Sequence, residues 1–565
     1  MTPREALHTY FGIDDFRPLQ AEIIDAVLAG RDTLALMPTG GGKSICFQVP
    51  TLVMGSEHED KRLCLVITPL IALMKDQVEN LKARDIQAAA VYTGMSWDKQ
   101  RVALDNCLYG PYHFLYCSPE RLESEEFRKR LADLPIGLIA VDEAHCISQW
   151  GYDFRPSYLN IAAVRELLPG VPVLALTATA TPETIEDIQA KLGFTEPNVL
   201  RKSFHRENLR YVVRQTTNKA EEVAHILSRV SGSAIVYVRN RKRAQELAEW
   251  LHATYYHAGL TTKERNERQE AWKEGKTRVI VATNAFGMGI DKADVRLVIH
   301  VDLPSCIESY YQEAGRAGRD GETAYAVLLY NPSEDKAKIQ KRIVDTYPPK
   351  EFVEMVYHKT MDFLQIGAGS GLGHRFMLHM DQLCHVMKLP VLQTYSALHI
   401  LTQAGYIDFE EEHETQPRVQ INVPRHRLGE YNLSREQVAM LDVLMRSYSG
   451  IHTDLQYVRE ADQPSNPQTH KPSNHEILVS LAQRGIITYI PRSVGCCLTM
   501  TKEREVDLYL SPAIFEERQM RFISKINAML EYAEQNQFCR EQVLLAYFGE
   551  RDAVPCGHCD VCIAQ

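Results

Sequence analysis

A glycine-rich segment near the N-terminus has the residues and spacing of a phosphate-binding loop. Met37-Pro-Thr-Gly-Gly-Gly-Lys43-Ser44 follows an apolar run, and a predicted helix begins directly after it. Consecutive glycines let backbone N–H groups turn inward around an anion, while Lys43 can reach the β- and γ-phosphates and Ser44 can hold Mg²⁺. Met37 replaces the first glycine of the general motif, so a glycine turn that caps a buried helix is the alternative. The residues predicted to bind a nucleotide here are Thr39, Gly40, Gly41, Gly42, Lys43 and Ser44.

Two acidic residues follow the apolar run LIAV further along the chain. In Asp142-Glu143-Ala144-His145, the aspartate at a strand end can bind Mg²⁺ directly or through water. The adjacent Glu143 can orient or deprotonate an attacking water. An exposed acidic helix start is the alternative, and the position of the pair after a phosphate loop argues against it.

A third motif, Gln312-Glu-Ala-Gly-Arg316-Ala-Gly-Arg319-Asp-Gly, combines two arginines with glycines that allow close backbone approach. The fixed fork of a guanidinium suits phosphate oxygens. Supplied from a second domain, such an arginine would act as an arginine finger that stabilises the charge of the transition state. Surface arginines on a solvated helix are the alternative, and they do not explain the flanking glycines.

An aromatic-rich segment, QWGYDFRPSY, comes directly after the acidic pair. Nucleic-acid bases stack on aromatic faces at about 1–3 kcal/mol each, with little sequence preference. We therefore predict that Trp150, Phe154 and Arg155 contact nucleic acid. A buried aromatic cluster is the alternative, although the interleaved polar residues, glycine and proline argue against it. Contact with this segment could shift the acidic pair and make hydrolysis depend on nucleic acid.

Four of the 13 cysteines crowd the C-terminus. Cys556, Cys559 and Cys562 form two successive C-x₂-C steps, and Cys539 supplies a fourth thiolate. This set predicts a tetrahedral zinc site, and a site with four protein ligands is structural. His558 is left out because its neighbours Cys556 and Cys559 serve better sterically. The other cysteines are scattered and no secretory signal is visible, which indicates a reducing compartment.

Short apolar strands alternate with helical stretches over the first 330 residues. Such alternation predicts parallel sheets with helices on both faces, and polar residues at the carboxyl ends of the strands line the usual ligand crevice. The pattern restarts near residue 205, which predicts two α/β domains. Helices are predicted at 71–83 and 183–192. The predicted strands are 34–40, 63–69, 115–119, 137–145, 173–179, 234–240, 253–259, 278–284, 295–304 and 324–330.

An internal repeat marks the region after residue 346. A helix, a glycine and a strand occur around Gly405 and again around Gly485, with a second strand candidate after each, VQINV and CCLTM. Helix, glycine and two-stranded ribbon resemble a winged helix, although any helix–glycine–strand turn would give similar matches. VQINV (419–423) and the ribbon 492–498 are candidate strand-separating hairpins. A pure scaffold or a protein-contact module is the alternative.

Composition limits the function further. The 565 residues, with 45% hydrophobic and 24% charged residues, are typical of a globular chain with three or four domains. A net charge of −10 excludes a histone-like basic coat but allows a local basic channel for nucleic acid. No apolar run is long enough to cross a membrane. The predicted domains are 1–205, 206–345, 346–512 and 513–565.

Several of these segments, in this order, resemble the motifs of the RecQ family of superfamily 2 helicases. FGIDDFRPLQ is similar to the family's adenine-reading motif, and CREQVLLAYFGE with CGHCDVC is similar to its zinc-binding subdomain. The resemblance covers about residues 1–345 and 513–565, whereas the stretch between them departs from the common layout. The other similar motifs are TPLIALMKDQV, TATAT, TNAFGMGIDK and QEAGRAGRDG.

The resemblance implies two tandem RecA-like domains, winged-helix-like modules and a small helical zinc-binding subdomain. It implies that Gln20 contacts adenine with the support of Phe11 and Arg17, and that Asp291 couples the cleft to DNA. Gln312, with the two arginines after it, would complete the site. ATP, Mg²⁺ and Zn²⁺ are the implied cofactors. The implied activity is a 3′→5′ DNA helicase that translocates on single-stranded DNA and unwinds duplex DNA in repair or recombination.

Three alternatives stay open at the level of the sequence. They are an RNA helicase, a DNA-stimulated translocase or strand-annealing remodeller without efficient unwinding, and a DNA-binding adaptor with a dead nucleotide site. Intact Lys43, Asp142, Glu143 and Arg319 argue against the adaptor. We further expect a monomer in the cytoplasm, associated with the nucleoid if the source is bacterial, and no membrane partner.

Overall fold

The computed structural model describes residues 1–38, 40–57, 62–151, 153–287, 292–415, 417–448, 450–453, 456–458, 473–490 and 493–564. The chain divides into two compact units, residues 1–339 with 521–565 and residues 340–520. Among the residues described, no helix is long and apolar enough to span a bilayer.

A seven-stranded parallel sheet forms the first α/β domain. Its strands are β1 (Thr33–Leu36), β2 (Leu63–Ile67), β3 (Ala88–Val91), β4 (Phe114–Cys117), β5 (Ile136–Val141), β6 (Val173–Thr177) and β7 (Val199–Arg201). They are ordered β3-β4-β2-β5-β6-β1-β7. Side chains alternate between two hydrophobic cores: Leu65 and Ile67 lie in one, Cys64 and Val66 in the other. Both faces of the sheet are therefore covered, as a parallel sheet requires.

Helices connect these strands and cover the sheet. They are α1 (Pro3–Phe11), α2 (Gln20–Leu28), α3 (Ile45–Glu57), α4 (Ile71–Lys82), α5 (Trp97–Tyr109), α6 (Glu125–Ala132), α7 (Ile161–Leu167) and α8 (Pro182–Lys191). Short 3₁₀ helices occur at Pro119–Glu123, Ala144–Ile147 and Pro156–Asn160. Thr2 caps α1 with Glu5 three residues later, which satisfies two of the free N–H groups at its start.

A six-stranded parallel sheet forms the second α/β domain. Its strands are β8 (Leu209–Gln215), β9 (Ser233–Tyr237), β10 (Thr254–Tyr256), β11 (Val279–Ala282), β12 (Val295–His300) and β13 (Ala324–Tyr330), in the order β10-β11-β9-β12-β13-β8. Its helices are α9 (Lys219–Arg229), α10 (Arg241–Trp250), α11 (Thr262–Lys273), α12 (Ile307–Ala314) and α13 (Pro332–Thr346).

The prediction of two parallel-sheet α/β domains is confirmed, and each of the ten predicted strands coincides with an observed one. Three observed strands were missed. β3 has the sequence AAAV, in which alanine gives little strand signal. β7 is a three-residue edge strand, and β8 begins at Leu209, close to residue 205 where the strand–helix pattern restarts.

Residues 340–520 form the second compact unit, which contains two antiparallel three-stranded sheets. Its helices are α14 (Lys350–Phe363), α15 (Met380–Met387), α16 (Val391–Gln403), α17 (Arg435–Ser447) and α18 (Asn474–Gln483), with a 3₁₀ helix at Arg425–Glu430. Its strands are β14 (Arg375–Leu378), β15 (Ile407–Thr415), β16 (Arg418–Ile421), β17 (Gln456–Tyr457), β18 (Ile487–Ile490) and β19 (Ser493–Met500).

The strand pairing in this unit corrects the sequence-based interpretation. The sequence suggested that each repeat forms its own ribbon from consecutive strands. Instead, β15 pairs with β19, and β16 pairs with β18. The wing of one module is therefore the β15–β19 pair, and a second module lies in the chain between these two strands. We call the part formed by 350–415 and 493–515 the first module, and the part between 418 and 490 the inserted module.

Separate hydrophobic cores support this division. Leu398 and Leu498 belong to the core of the first module, and Val419 and Leu481 belong to the core of the inserted module. The predicted end of each repeat helix before a glycine and a strand is confirmed: Gly405 and Gly485 have φ of +72° and +70°, where glycine carries no steric penalty.

Neither candidate hairpin is a free-standing pin in this arrangement. VQINV overlaps β16, the central strand of its sheet, at residues 419–421, with Val419 and Ile421 buried. The ribbon 492–498 lies mostly in β19, which is held between β14 and β15, and residues 491–492 lie outside the described residues. The polar, Pro-containing segment 464–475 is predicted as a loop by its composition, and it lies outside the described residues as far as residue 472.

Three helices complete the chain: α19 (Glu516–Glu534), α20 (Arg540–Tyr547) and α21 (Asp560–Ala564). Residues 521–565 belong to the same compact unit as the two α/β domains. Phe548, directly after α20, stacks on Phe204 with ring centroids 4.7 Å apart. Glu550 accepts a hydrogen bond from the Phe204 N–H at 2.7 Å, so the C-terminal segment holds the connection between the two sheets.

Candidate nucleotide cleft and zinc site

The three motifs that the sequence singled out line one cleft of about 630 Å³ between the two parallel sheets. Each motif follows the carboxyl end of a strand or lies at the helix that comes after such an end. The first α/β domain supplies Gly40, Gly42, Lys43, Ser44, Asp142 and Glu143, and the second supplies Gln312, Arg316 and Arg319. Thr39 and Asp291 lie outside the described residues, so their predicted roles stay predictions.

The phosphate loop is contacted by Arg17 and by Gln20, the first residue of α2. Gly40 and Gly42 adopt φ of +80° and +78°, and a Cβ on Gly42 would lie 2.5 Å from the side-chain nitrogen of Gln20. That amide donates to the carbonyl oxygen of Gly42 at 3.0 Å, and Arg17 Nη1 donates to that of Gly40 at 2.5 Å. These bonds fix two loop carbonyls, and the backbone N–H groups of such a glycine-rich loop can bind an anion.

Two of the three residues expected to read adenine, Arg17 and Gln20, therefore contact the loop in this structure. Arg17 also donates its backbone N–H to Gln20 Oε1 at 2.9 Å, which fixes the amide. Phe11 packs at the edge of the core beneath α3, with the Arg84 guanidinium 5.6 Å from its ring centroid. Contact of these three side chains with adenine stays a prediction.

The acidic pair lies at the end of β5, beneath the loop. Glu143 Oε1 is 3.8 Å from Lys43 Nζ, and Glu143 Oε2 is 3.4 Å from His145 Nδ1. Glu143 has φ of +47°, a left-handed conformation that is uncommon for a residue with a side chain and typical of strained functional sites. The Thr68 hydroxyl donates to Asp142 Oδ2 at 3.4 Å.

Burial dominates the electrostatics of this pair. Burial, and next the charge of Glu143, raise the pKa of Asp142 to about 6, whereas Lys43 opposes the shift. Burial also lowers the pKa of His145 to about 3, so this imidazole is neutral near pH 7. A carboxylate that is costly to keep charged is well suited to a divalent cation, because the cation restores the favourable charged form.

Glu143 Oε2 and Arg316 Nη1 are among the buried polar atoms at the cleft that have no hydrogen-bond partner in the described part of the chain. Other contacts hold the Arg316 guanidinium: Nε donates to the Gly287 carbonyl at 3.1 Å, and the guanidinium lies 5.4 Å from the Tyr237 ring centroid. A carboxylate oxygen and a guanidinium nitrogen that are buried at one cleft without hydrogen bonds fit a water molecule and a phosphate group.

The second arginine lies directly against the phosphate loop. A Cβ on Gly40 would lie 3.3 Å from Cγ and Cδ of Arg319, so this arginine of the second domain already touches the loop of the first. Ser44 and Asp142 together offer a hydroxyl and a carboxylate oxygen, the hard ligands that Mg²⁺ prefers. The donor set therefore fits a magnesium nucleotide.

Sequence reasoning missed three residues that position this site. Gln77 donates to Ser44 Oγ at 3.5 Å, and Tyr116 donates to Gln77 Oε1 at 2.9 Å. Tyr158 donates to the Asp142 backbone carbonyl at 3.0 Å. Gln77 lies within a motif that the family resemblance had already marked, so its signal was present. Tyr116 lies in a strongly apolar strand and gave none, and Tyr158 ends the aromatic-rich segment, where the sequence indicated stacking with nucleic acid and gave no sign of a bond to Asp142.

The aromatic-rich segment is partly exposed. Trp150 is 41% exposed, the Lys191 ammonium lies 5.6 Å from the Phe154 ring centroid, and Tyr152 lies outside the described residues. Arg155 is held by Asp153 Oδ2 at 3.1 Å and by the Pro69 carbonyl at 3.4 Å. Contact of Trp150, Phe154 and Arg155 with DNA stays a prediction.

The four C-terminal cysteines form one cluster. The sulfurs of Cys539, Cys556, Cys559 and Cys562 all lie within 4.8 Å of one another. Tetrahedral zinc with Zn–S bonds of about 2.3 Å requires sulfur–sulfur distances of roughly 3.8 Å, and Cys559 and Cys539 are 3.9 Å apart. The N–H of Arg540 points at Cys559 Sγ at 3.4 Å, and that of Cys556 at Cys539 Sγ at 3.2 Å. Such donors favour thiolates, so the residues fit a structural zinc ion.

The cysteine cluster is anchored to the second α/β domain. Arg540 pairs with Asp560 at 3.0 Å, and Asp560 Oδ2 accepts the Val213 N–H at 3.2 Å. His558 Nε2 lies 3.4 Å from the Leu209 carbonyl oxygen. Val213 and Leu209 both lie in β8, the first strand of the second sheet along the chain, so the zinc unit contacts and stabilises that strand.

Three family profiles match the chain. The DEAD/DEAH box helicase profile matches residues 17–188, the helicase conserved C-terminal domain profile matches 218–321, and the RecQ zinc-binding profile matches 504–563. These three ranges contain the phosphate loop with the acidic pair, the two arginines, and the four cysteines respectively.

Curated relatives are similar over the same parts. A probable ATP-dependent DNA helicase RecS of Bacillus subtilis (strain 168) is 37% identical over 397 residues, which is 67% of this chain and 78% of the relative. The ATP-dependent DNA helicase RecQ of Pasteurella multocida (strain Pm70) is 42% identical over 339 residues, 59% of this chain and 53% of the relative. The chain spans about half the length of the RecQ relatives that it matches.

Among solved structures, the DUF1998 helicase MrfA bound to DNA matches 72% of this chain and 58% of its own, with 18% identity and a TM-score of 0.52. At this identity the likeness concerns the fold alone. It agrees with the two parallel-sheet RecA-like domains described above.

Proposed function

The chain belongs to the RecQ family of superfamily 2 helicases, and on that premise we propose that it is an ATP-dependent 3′→5′ DNA helicase. It translocates on single-stranded DNA and unwinds duplex DNA, in repair or recombination, as a monomer. The observation that carries this proposal is the cleft in which Lys43, Glu143 and Arg316 meet across two RecA-like domains. The aromatic segment continues directly from the acidic pair of that cleft.

In the proposed reaction the first domain holds the triphosphate and the attacking water. Lys43 and the loop N–H groups bind the β- and γ-phosphates, and Ser44 with Asp142 holds Mg²⁺. When bound, this ion neutralises charge on the phosphate oxygens. Glu143 Oε2 accepts a hydrogen bond from the water and takes its proton. Neutral His145 adds no charge beside this carboxylate: its Nδ1 lies 3.4 Å from that oxygen and 2.9 Å from the Thr177 hydroxyl oxygen.

The second domain supplies charge stabilisation in the transition state. Arg316 and Arg319 reach phosphate oxygens with their forked N–H groups. Gln312 lines the same cleft from α12. Because these residues belong to another sheet than the phosphate loop, ATP binding favours closure of the cleft and product release favours opening. Alternating grip on single-stranded DNA by the two domains would turn that cycle into directed stepping.

A second candidate function is supported by the strand order of residues 340–520. Since VQINV is a central strand, the candidate pin it represents is not free to part a duplex. A DNA-stimulated translocase or strand-annealing remodeller without efficient unwinding would need no such pin. The motor residues would be the same in both cases.

Strand displacement on two tailed duplexes separates these functions. One duplex carries a 3′ single-stranded tail and the other a 5′ tail, and Glu143→Ala is compared with the wild type. The helicase proposal expects displacement only on the 3′-tailed duplex, abolished in Glu143→Ala. Hydrolysis stimulated by DNA without displacement on either duplex would favour the translocase. Equal stimulation by RNA and DNA would instead revive the RNA helicase, and no stimulated hydrolysis at all would overturn both proposals.

A further inference from the structure

Helix α19 places two cations on the aromatic segment. Lys525 Nζ donates to the Trp150 carbonyl oxygen at 2.5 Å. One turn earlier, the Arg521 guanidinium carbon lies 4.3 Å from the Trp150 ring centroid, and Arg521 Nη1 is 3.4 Å from Gln149 Oε1. All these residues belong to one compact unit. Helix α19 therefore contacts both the backbone and the ring of Trp150.

The same lysine also reaches the second α/β domain. Lys525 Nζ is 2.9 Å from Glu308 Oε1 on α12. The Glu308 side chain is almost wholly buried, and within the described part of the chain Lys525 is the one cation at ion-pair distance from it. A buried carboxylate with a single cation fixes that cation firmly, because loss of the pair would leave an uncompensated charge in the interior.

Glu308 lies on the helix that carries a cleft residue. Gln312 is four residues further along α12, one helical turn away on the same face, and it lines the nucleotide cleft. A short route thus runs from the Trp150 carbonyl through the Lys525 ammonium and the Glu308 carboxylate to α12 and the cleft. It is separate from the continuous backbone that joins Trp150 to Glu143 in the first domain.

We propose that Lys525 is a positioning residue that transmits DNA contact at Trp150 to the second domain and so couples DNA binding to ATP hydrolysis. This rests on the proposed function, since it assumes that Trp150 meets single-stranded DNA. A movement of the Trp150 carbonyl shifts the Lys525 ammonium, which is also paired with Glu308. The Glu308 carboxylate follows, and α12 moves with Gln312.

Arg521 contacts the ring of the same tryptophan. Its guanidinium carbon lies 4.3 Å from the ring centroid, and Trp150 is 41% exposed. In the proposed coupling, a base stacks on the exposed part of Trp150, and the contact with Arg521 links the ring to α19, the helix that carries Lys525.

The test must separate coupling from simple neutralisation of Glu308. Lys525→Gln alone leaves Glu308 buried without a cation and can fail to fold. The double variant Lys525→Gln/Glu308→Gln removes both charges and keeps the side chains similar in size. Arg551→Gln, which removes an exposed charge from the same C-terminal segment, is the matched control. ATP hydrolysis by the zinc-loaded full chain is measured with and without a single-stranded dT oligonucleotide, together with Tm.

The proposal expects the double variant to keep a Tm near that of the wild type while the ratio of DNA-stimulated to basal hydrolysis falls by about five-fold or more. Lys525→Arg, which keeps both contacts, is expected to retain most of the ratio, and Arg551→Gln all of it. If the double variant keeps the wild-type ratio, Lys525 only neutralises Glu308 and the proposal is overturned. If the wild type itself shows no stimulation by DNA, the proposed function fails first.

Discussion

The nucleotide cleft and residues 340–520 are assembled on different principles. In the cleft, the phosphate loop and the acidic pair follow a buried parallel strand, as Asp142 does after β5, and the arginine motif lies in and after the helix that follows β12. In residues 340–520, the sheets join strands that are far apart in the chain: β15 meets β19 across the whole inserted module. A parallel sheet brings the carboxyl ends of its strands to one edge, so motifs that follow these strands converge. In an antiparallel wing that is interrupted by an insertion, the position of a strand in the sequence does not indicate which strand it pairs with.

The difference shows which structural features a short sequence motif can specify and which it cannot. Lys43 and Glu143 need only the right strand ends to come within 3.8 Å of each other. The two winged-helix-like modules need the correct partner for each strand, and β15 pairs with the distant β19 although β16 is the next strand in the chain. Four predictions, from the largest expected effect to the smallest, test this contrast.

Loss of an arginine across the cleft should have the largest effect. For Arg319→Ala we expect the kcat of ATP hydrolysis to fall by about 10³-fold or more, because the guanidinium stabilises charge that develops in the transition state. Steady-state hydrolysis with saturating single-stranded DNA measures it, with Arg551→Ala as the control. An unchanged kcat would mean that Arg319 does not stabilise charge in the transition state, although its motif converges on this cleft.

Substitutions in the two cores of residues 340–520 should act independently. Leu398→Ala and Leu481→Ala each empty a fully buried position in a different core, and each should cost about 3–5 kcal/mol in the free energy of unfolding. Hydrogen exchange followed by mass spectrometry should show faster exchange only in the module that carries the substitution. Equal loosening of both modules by either variant would show that they form a single core.

Alanine substitution of either glycine that follows a repeat helix should lower the free energy of unfolding by a similar and small amount. Gly405 and Gly485 have φ near +70°, and a Cβ on either meets nothing within 4 Å. The expected cost of Gly405→Ala or Gly485→Ala is therefore that of the left-handed backbone alone, about 1 kcal/mol. Urea titration checks each value. A cost several times larger at one of them would mean that the repeat does not extend to equivalent helix ends.

Removal of the inserted module should have the smallest effect on the folding and the ATP hydrolysis of the remaining chain. Thr415 and Ser493 are paired in β15 and β19, so a two-residue Asn-Gly turn can replace residues 416–492. We expect the first module to stay folded and DNA-stimulated ATP hydrolysis to stay within about two-fold, since distant and independent sites contribute separately. Circular dichroism and hydrolysis assays test this. Unfolding of the first module would contradict the separate cores.

The same excised chain also sharpens the choice between the two proposed functions. If strand displacement is lost while DNA-stimulated hydrolysis remains, the inserted module contributes to separation of the strands. If displacement persists, the separating element lies elsewhere in the chain.

Much of the first unit could be predicted because its signals are local. Gly42 needs no distant partner to mark a phosphate loop, and Cys556, Cys559 and Cys562 mark a metal site by spacing alone. The missed strand β3 had too little side chain to give a signal, and the positioning role of Tyr158 was missed because a hydroxyl bond to the Asp142 backbone has no sequence pattern. The position of Arg17 and Gln20 against the loop carbonyls was likewise not visible, since it depends on how α2 packs beside the loop.

The sequence by itself determined the two parallel-sheet domains, the phosphate loop, the acidic pair, the arginine motif and the four-cysteine cluster, because periodicity and short spacing encode them. Only the tertiary structure decided that β15 pairs with β19 around an inserted module, and that Lys525 joins Trp150 to Glu308. Both depend on contacts between residues far apart in the chain. The free energy of such contacts comes from burial and pairing, which no local pattern of residues records.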